Sequence, residues 1–348
     1  MKRILHLHEK FWPYKGGSTT RLLNLINGTE SIHYVLSRTH DAGLKTVERL
    51  GKNIIVIRYN SDFELCNLVI KLAFNRWFDI FHIHNLRASL VFLPMQIFFC
   101  NRSILELHSI YIPSKSWKKA IANISINFYR RILLLSDKSK NLLFDNYPVT
   151  SKDITVIENG ICLDSFKYKR NLSGNIRVVY VGSLKGFQGV DQFVSVANLV
   201  KRQDIVFDVF GGSCQEIKFL KGMDNNNKVN FHGEIDFHDV PQIYAESDIL
   251  LMTRSSMPST DSAIPIKPIE ALSVGCTVVS TRVGGMDELK SKLNSPNLVL
   301  LESFDEIVSY IDNYKREFYY TKYNLSYFDR KIKSSDLESL YEEVLINA

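Results

Sequence analysis

Short runs of β-branched and other apolar residues recur along almost the whole chain, with amphipathic stretches between them. In the first half the runs are residues 4–7, 34–36, 54–57, 80–83, 104–107, 132–135 and 154–157. In the second half they are 178–181, 205–210, 229–232, 249–252, 277–280 and 298–301. Helical patterns at 19–26, 65–76 and 116–131, among others, separate them. Runs that are apolar without alternation are strands buried on both faces, and strands joined through helices lie parallel. The pattern predicts an α/β protein with two Rossmann-like, doubly wound domains. The 348 residues also exceed the ~150 of a single average domain. Residues 167–175, a polar stretch with Ser173 and Gly174, read as a linker. The expected organisation is residues 1–166 and 167–330, with a C-terminal helix at 331–348 packing back on the first domain. Two such domains facing each other form a cleft, with ligands beyond the C-terminal ends of the strands.

At 45% apolar and 23% charged residues, the chain is not of a disordered or collagen-like type. Cys66, Cys100, Cys162, Cys214 and Cys276 are widely spaced without a C-x-x-C pair, which fits a reducing compartment rather than a disulfide framework or zinc ribbon. After Lys2 and Arg3 the apolar stretch is broken by His6, His8, Glu9 and Lys10, so no secretory signal is read. The longest apolar run, around 91–100, falls short of the ~20 residues that span a bilayer. The expected location is the cytoplasm. The net charge of +6 is unevenly divided. Residues 1–170 hold 25 Lys and Arg against 13 Asp and Glu, a net +12, whereas residues 171–348 are net −6. A basic first half suits an anionic surface.

The informative loops follow strands. After the first comes a segment ending Gly16-Gly17-Ser18, just before a helix, where backbone N–H groups and the helix dipole favour an anion. The G-x-G-x-x-G dinucleotide fingerprint is absent from it. After the first strand of the second half comes Gly182-Ser183-Leu184-Lys185-Gly186-Phe187-Gln188-Gly189. Farther on, Ser262-Ala263-Ile264-Pro265-Ile266-Lys267-Pro268-Ile269-Glu270 opens a helix with Lys267 in its first turn. A cation is disfavoured there unless an anion offsets it.

In order and spacing these segments, with 79–84, Leu107-His108, 157–160, Phe231-His232-Gly233, Glu270-Ala271 and Gly284-Gly285, resemble the retaining nucleotide-sugar glycosyltransferases of the GT-B fold, the family 4 or group 1 type. The resemblance covers nearly the whole chain. It implies a retaining hexosyltransferase that moves a sugar from a nucleoside-diphosphate sugar, such as a UDP-sugar, to a glycan or lipid-linked acceptor in bacterial surface-polysaccharide synthesis, lipopolysaccharide O-antigen or capsule. By the same resemblance, Gly16 and Gly17 approach the donor diphosphate, and His108 bonds the donor sugar. Gly233 meets the base, Glu270 binds the ribose, and the backbone around Ile266 meets the diphosphate. The family usually has Gly-Arg at Gly182-Ser183 and Lys-Gly at Gln188-Gly189, and a first glutamate at Ser262. Lys185 and Lys267 are the expected replacements for the two missing cations, and Pro265-Ile266-Lys267 with Glu270 matches a Pro-x-Lys-x-x-Glu branch.

Breaking the donor's C1–O bond leaves charge on the β-phosphate, which preorganised N–H groups and cations stabilise. No Asp-x-Asp metal motif occurs, so donor binding without metal or other cofactor is expected. His6 and His8, and His82 and His84, sit two apart on strands and with His108 compose a rival metal-hydrolase site, though without H-E-x-x-H. Two further readings compete with transfer: a sugar-nucleotide epimerase of the same fold, and a non-catalytic nucleotide-sugar-binding subunit. Trp117, Ile121, Ile124 and Phe128 share one helix face, surrounded by Lys115, Lys118, Lys119, Arg130 and Arg131. Either that face is buried, or it rests on an anionic membrane. The expected partners are thus the donor, the acceptor and the inner membrane face, with no nucleic acid.

Overall fold

The computed structural model describes residues 1–14, 16–41, 43–75, 77–149, 153–170, 172–316 and 325–347, without the side chains of Pro258 and Ser259. Lys15, Arg76, Asn171 and Ala348, expected from sequence in a loop, a helix, the linker and the last helix, lie outside the described residues. The chain forms two compact units: Met1–Gly160 with Phe328–Ala348, and Ile161–Tyr327.

The first unit is built on strands β1 (Arg3–Leu7), β2 (Ile32–Arg38), β3 (Val47–Leu50), β4 (Ile54–Tyr59), β5 (Ile80–His84), β6 (Ser103–Leu107), β7 (Arg131–Leu134) and β8 (Asp153–Val156), in the order β3-β4-β2-β1-β5-β6-β7-β8. All pairs are parallel except β3 with β4. That edge strand was not expected, because Glu48 and Arg49 break its apolar character and its residues are exposed or half-buried. One face of the sheet is covered by helices Asp62–Phe74, Asn85–Phe99 and Ser116–Phe128, through Leu65, Val69, Phe92, Met95, Ala122 and Ile126. The other is covered by Gly17–Ile26 and the C-terminal helix Arg330–Ile346, through Leu22, Leu25, Leu337, Leu340, Tyr341 and Val344. Each buried apolar side chain contributes roughly 1.5–3 kcal/mol, so packing rather than propensity holds the last helix on this unit. Close approach also matters, because a Cβ on Gly28 would meet Ser334 Oγ at 2.5 Å.

The second unit has β9 (Ile176–Val181), β10 (Ile205–Phe210), β11 (Val229–Gly233), β12 (Ile249–Met252), β13 (Thr277–Thr281) and β14 (Leu298–Leu301), all parallel, in the order β11-β10-β9-β12-β13-β14. The strand order reverses direction between β9 and β12, as it does between β1 and β5 in the first unit. Such switch points open a crevice at the carboxyl ends of the strands. This unit begins at Ile161, six residues before the expected 167. The cause is local. Phe166 is buried, and its turn, Leu163–Phe166, packs on helices Val240–Ala245 and Ile266–Ser273 of the second unit.

Candidate functional site

In the second unit the switch point gathers three of the residues singled out by sequence. Gly182 follows β9 with φ +133°, and its N–H donates to Phe210 O at 2.8 Å. Lys267 stands in the first turn of helix Ile266–Ser273, which has no side-chain cap at Pro265. Its ammonium donates to Tyr180 Oη at 2.9 Å and lies 4.2 Å from the centre of that ring. Tyr180 in turn donates to Ser183 O at 2.7 Å. A Cβ on Gly182 would sit 2.6 Å from Lys267 Nζ, so this turn needs glycine for both its conformation and the lysine above it. Gly189, with φ +74°, is held against the end of β12: Thr253 Oγ1 donates to its carbonyl at 2.6 Å, and a Cβ there would lie 1.9 Å from Thr253 O.

The electrostatics of this corner are those of excess positive charge. Burial first, and Arg254 second, pull the Lys267 pKa down to about 7 against the opposing effect of Glu270. Burial pushes the Glu270 carboxyl up to about 7 against the pull of Lys267. Among the described residues no carboxylate forms an ion pair with Lys267. The other expected cation, Lys185, is exposed on the turn, as is Ser183; Gln188 is half-buried. Ser262 is fully buried at the end of helix Pro258–Asp261. Ile266 opens the next helix, half-buried. Gly233 ends β11 with φ +76°, and its carbonyl accepts from Gly211 N at 2.6 Å.

Two features here were not singled out by sequence. Gly211-Gly212 follow β10 just before a helix whose Ser213 and Glu216 form a reciprocal cap. A Cβ on Gly211 would meet Gly182 O at 2.1 Å, which ties the two loops together. Two glycines ahead of a helix are the signal used for Gly16-Gly17, and it was present here too. The other is Arg254, two residues past β12, which carries no motif.

In the first unit, Gly16 precedes helix Gly17–Ile26 without a side-chain cap, and the space beside Gly17 is open. Around the switch point the histidines form an array under that helix. Thr29 Oγ1, His33, His6, His84 and His108 are linked in sequence by contacts of 2.6, 2.8, 3.0 and 3.1 Å. Glu106 lies at their centre. Its carboxylate takes Arg21 Nε at 2.6 Å and approaches His82 Nε2 at 2.9 Å, with every one of these side chains essentially buried. Burial alone would raise Glu106, but Arg21, then His108 and His82, hold it well below the carboxylate range. Burial also lowers the histidines: His8 and His33 to about 3, His108 to about 4. They are neutral hydrogen-bonding groups at neutral pH.

His108 is the member of the array at the edge, its backbone N–H fixed by Asn85 Oδ1 at 3.0 Å. The ring nitrogens of His6, His82 and His84 converge within 4.8 Å, as do those of His8, His84 and His108. In the first trio His33, Tyr341 and His108 take His6 Nε2, His82 Nδ1 and His84 Nδ1, while His82 Nε2 lies 2.9 Å from Glu106 without making a hydrogen bond. A pocket nearby is lined by His8, Glu9, Tyr59, Asp62 and Arg87.

The family model described as Glycosyltransferase Family 4 matches residues 16–165, and the model described as Glycosyl transferases group 1 matches residues 175–313. Among curated proteins, an uncharacterized 41.2 kDa protein in the cps region of Klebsiella pneumoniae is 23% identical over 98% of both chains. Among solved structures, sucrose-phosphate synthase from Thermosynechococcus elongatus superposes with a TM-score of 0.78 at 13% identity, covering 100% of each chain. HepE of Anabaena, in complex with UDP and glucose, gives 0.76 at 17% identity over 99% of this chain and 100% of its own. Two α/β units, one matched by each model over residues 16–165 and 175–313, have one explanation: the chain belongs to the group 1, family 4 glycosyltransferases and has the GT-B fold.

Proposed function

We propose that this glycosyltransferase moves a hexose, with retention, from a nucleoside-diphosphate sugar, UDP-linked in the first instance, to a glycan or lipid-linked acceptor during assembly of a bacterial surface polysaccharide. The observation that carries the donor assignment is Lys267: an ammonium without a carboxylate partner, at an uncapped helix N-terminus over the Gly182 turn. That is where a leaving diphosphate finds charge and N–H donors. The neighbouring cations replace a divalent ion, so donor binding is metal-independent. Glu270 takes the ribose, Gly233 and its neighbours the base, and Ile266 N–H with the amides after Gly16 and Gly17 the phosphates. His108, neutral and oriented by Asn85 and His84, is a hydrogen-bond partner for the transferred sugar. Two relatives support this reading: HepE was solved with UDP and glucose, and the Klebsiella protein comes from a cps region, which favours capsule over other polysaccharides. The test is transfer itself, with EDTA-treated protein, a panel of nucleoside-diphosphate hexoses and lipid-linked acceptors, and NMR of the new anomeric centre. Turnover that is as fast without acceptor favours an epimerase. Binding without turnover of any pair favours a non-catalytic subunit.

The acceptor side is the basic first unit. Trp117, Ile121, Ile124 and Phe128 are 59%, 39%, 50% and 46% exposed, so the helix buries Ala122, Ser125 and Ile126 and leaves its apolar stripe outside. The adjacent helix Asn85–Phe99 adds exposed Ile97 and Phe98. No helix among the described residues is long and apolar enough to cross a membrane. An exposed aromatic stripe ringed by lysines suits the surface of an anionic leaflet, where each cation contributes ~1 kcal/mol. Peripheral attachment at the inner membrane face through this helix is the reading it supports.

A further inference from the structure

Arg254 is a half-buried guanidinium that nothing in the second unit explains. Its Nε is buried with no hydrogen-bond partner, and no described carboxylate comes within ion-pair distance. Polar groups left in that state are rare and point to a missing partner. Its surroundings say what kind. Arg254 lies two residues past β12, which pairs with β9 through Ile249–Val178 and Leu250–Val179, and it acts electrostatically on Lys267 and Tyr180. The backbone is fixed there from two sides. Thr281 Oγ1 donates to Arg254 O at 2.8 Å, and a Cβ on Gly189 would come within 3.1 Å of Arg254 N.

The charged and titratable groups that face Arg254 are Lys267, Tyr180 and Asp261. Tyr180 stays neutral, its pKa pushed above the usual range by burial. The Asp261 carboxylate is taken up by Ser256 Oγ at 2.6 Å and Gly284 N at 2.9 Å. Glu270 acts on Lys267 from one turn along its helix. Two cations are therefore held near each other, with Asp261 and Glu270 close enough to be felt but neither within ion-pair distance of them among the described residues. A chain does not retain such a pair for stability, since each raises the cost of the other.

We propose that Arg254 and Lys267 together receive the diphosphate of the nucleotide-sugar donor, Arg254 taking the place expected of Lys185. The proposal rests on the donor assignment above. It adds a diphosphate-binding residue from the neighbouring strand and moves exposed Lys185 to the rim.

The experiment is calorimetry on the full chain in EDTA, with UDP and GDP as nucleoside diphosphates, and uridine as the ligand without phosphate. Charge-assisted contacts of this kind correspond to about a ten- to hundredfold change in affinity. Arg254→Gln should weaken binding of the preferred diphosphate by about that much and leave uridine unchanged, with Arg254→Lys restoring part of the loss. Lys185→Gln should change it by less than about threefold, as exposed charges do. Without ligand, Arg254→Gln should melt at or above the wild-type Tm, because a half-buried charge without an ion-pair partner has been removed. Unaltered diphosphate binding in Arg254→Gln overturns the proposal and leaves the donor assignment standing. A lowered Tm together with equal loss of uridine and UDP marks a structural arginine and also overturns it. Binding of neither diphosphate by the wild type removes the donor assignment itself.

Discussion

Lys267 makes donor binding depend on pH in a way that can be worked out beforehand. Its pKa in the free protein is about 7, against a usual lysine value of 10.5. A base with a folded-state pKa below its unfolded value is strained when protonated. Its contribution destabilises the free protein fully below about pH 7, and the strain is relieved as pH rises towards 10.5. A bound diphosphate needs the ammonium, so affinity must fall over the same range. At pH 7 about half of the molecules carry the proton, and at pH 8 about one-tenth, which predicts about a fivefold weaker Kd and uptake of up to about one proton on binding. The assay is titration with UDP at pH 6 to 8.5 in buffers of different ionisation enthalpy. Lys267→Arg is the control, since a guanidinium stays charged throughout and leaves only the titrations of Glu270 and of the nucleotide itself. Wild-type affinity that runs parallel to Lys267→Arg across this range, with no extra proton uptake, would refute the reasoning.

Other outcomes follow from the same structure. Glu106→Gln leaves Arg21 buried without its anion, and should cost about 3–5 kcal/mol in urea unfolding; a loss under about 1 kcal/mol would contradict the buried pair. His6, His8, His33, His84 and His108 are neutral when folded and protonate when unfolded, so stability should drop as pH falls from about 6.5 towards 4, and His33→Gln should make Tm fall less steeply in that range. Gly182→Ala drives a methyl onto Lys267 in a left-handed turn, and should weaken UDP binding by more than about tenfold, read by calorimetry. Replacing Trp117 and Phe128 by serine should abolish salt-sensitive cosedimentation with anionic vesicles while leaving UDP binding intact; equal binding by both proteins would remove the membrane face.

The strands were legible because each is a continuous apolar run, and parallel sheets bury both faces. Strand β3 was not, since it pairs at an exposed edge where charged Glu48 and Arg49 are tolerated. Lys267 and Glu270 stood out through their spacing in one helix turn, yet their depressed and raised pKa values come from burial that no spacing encodes. The histidine pairs were visible as neighbours on strands. Their link to Glu106 and Arg21 was not, because it runs across β1, β5 and β6 and down from a helix. Periodicity also left the Ser116–Phe128 stripe open between core and surface. An apolar stripe and a buried one look alike in sequence, and only the small residues Ala122 and Ser125, which let the helix sit close, show which side went inward. Arg254 is the extreme case. A single arginine after a strand means nothing until the neighbouring strand brings it beside Lys267.

The most direct test of the account is titration of EDTA-treated full-length protein with UDP and GDP. It predicts saturable binding of one of them near one per chain, weakened severalfold or more by both Lys267→Met and Arg254→Gln. No binding of either nucleotide, or binding only after a divalent ion is restored, would contradict it.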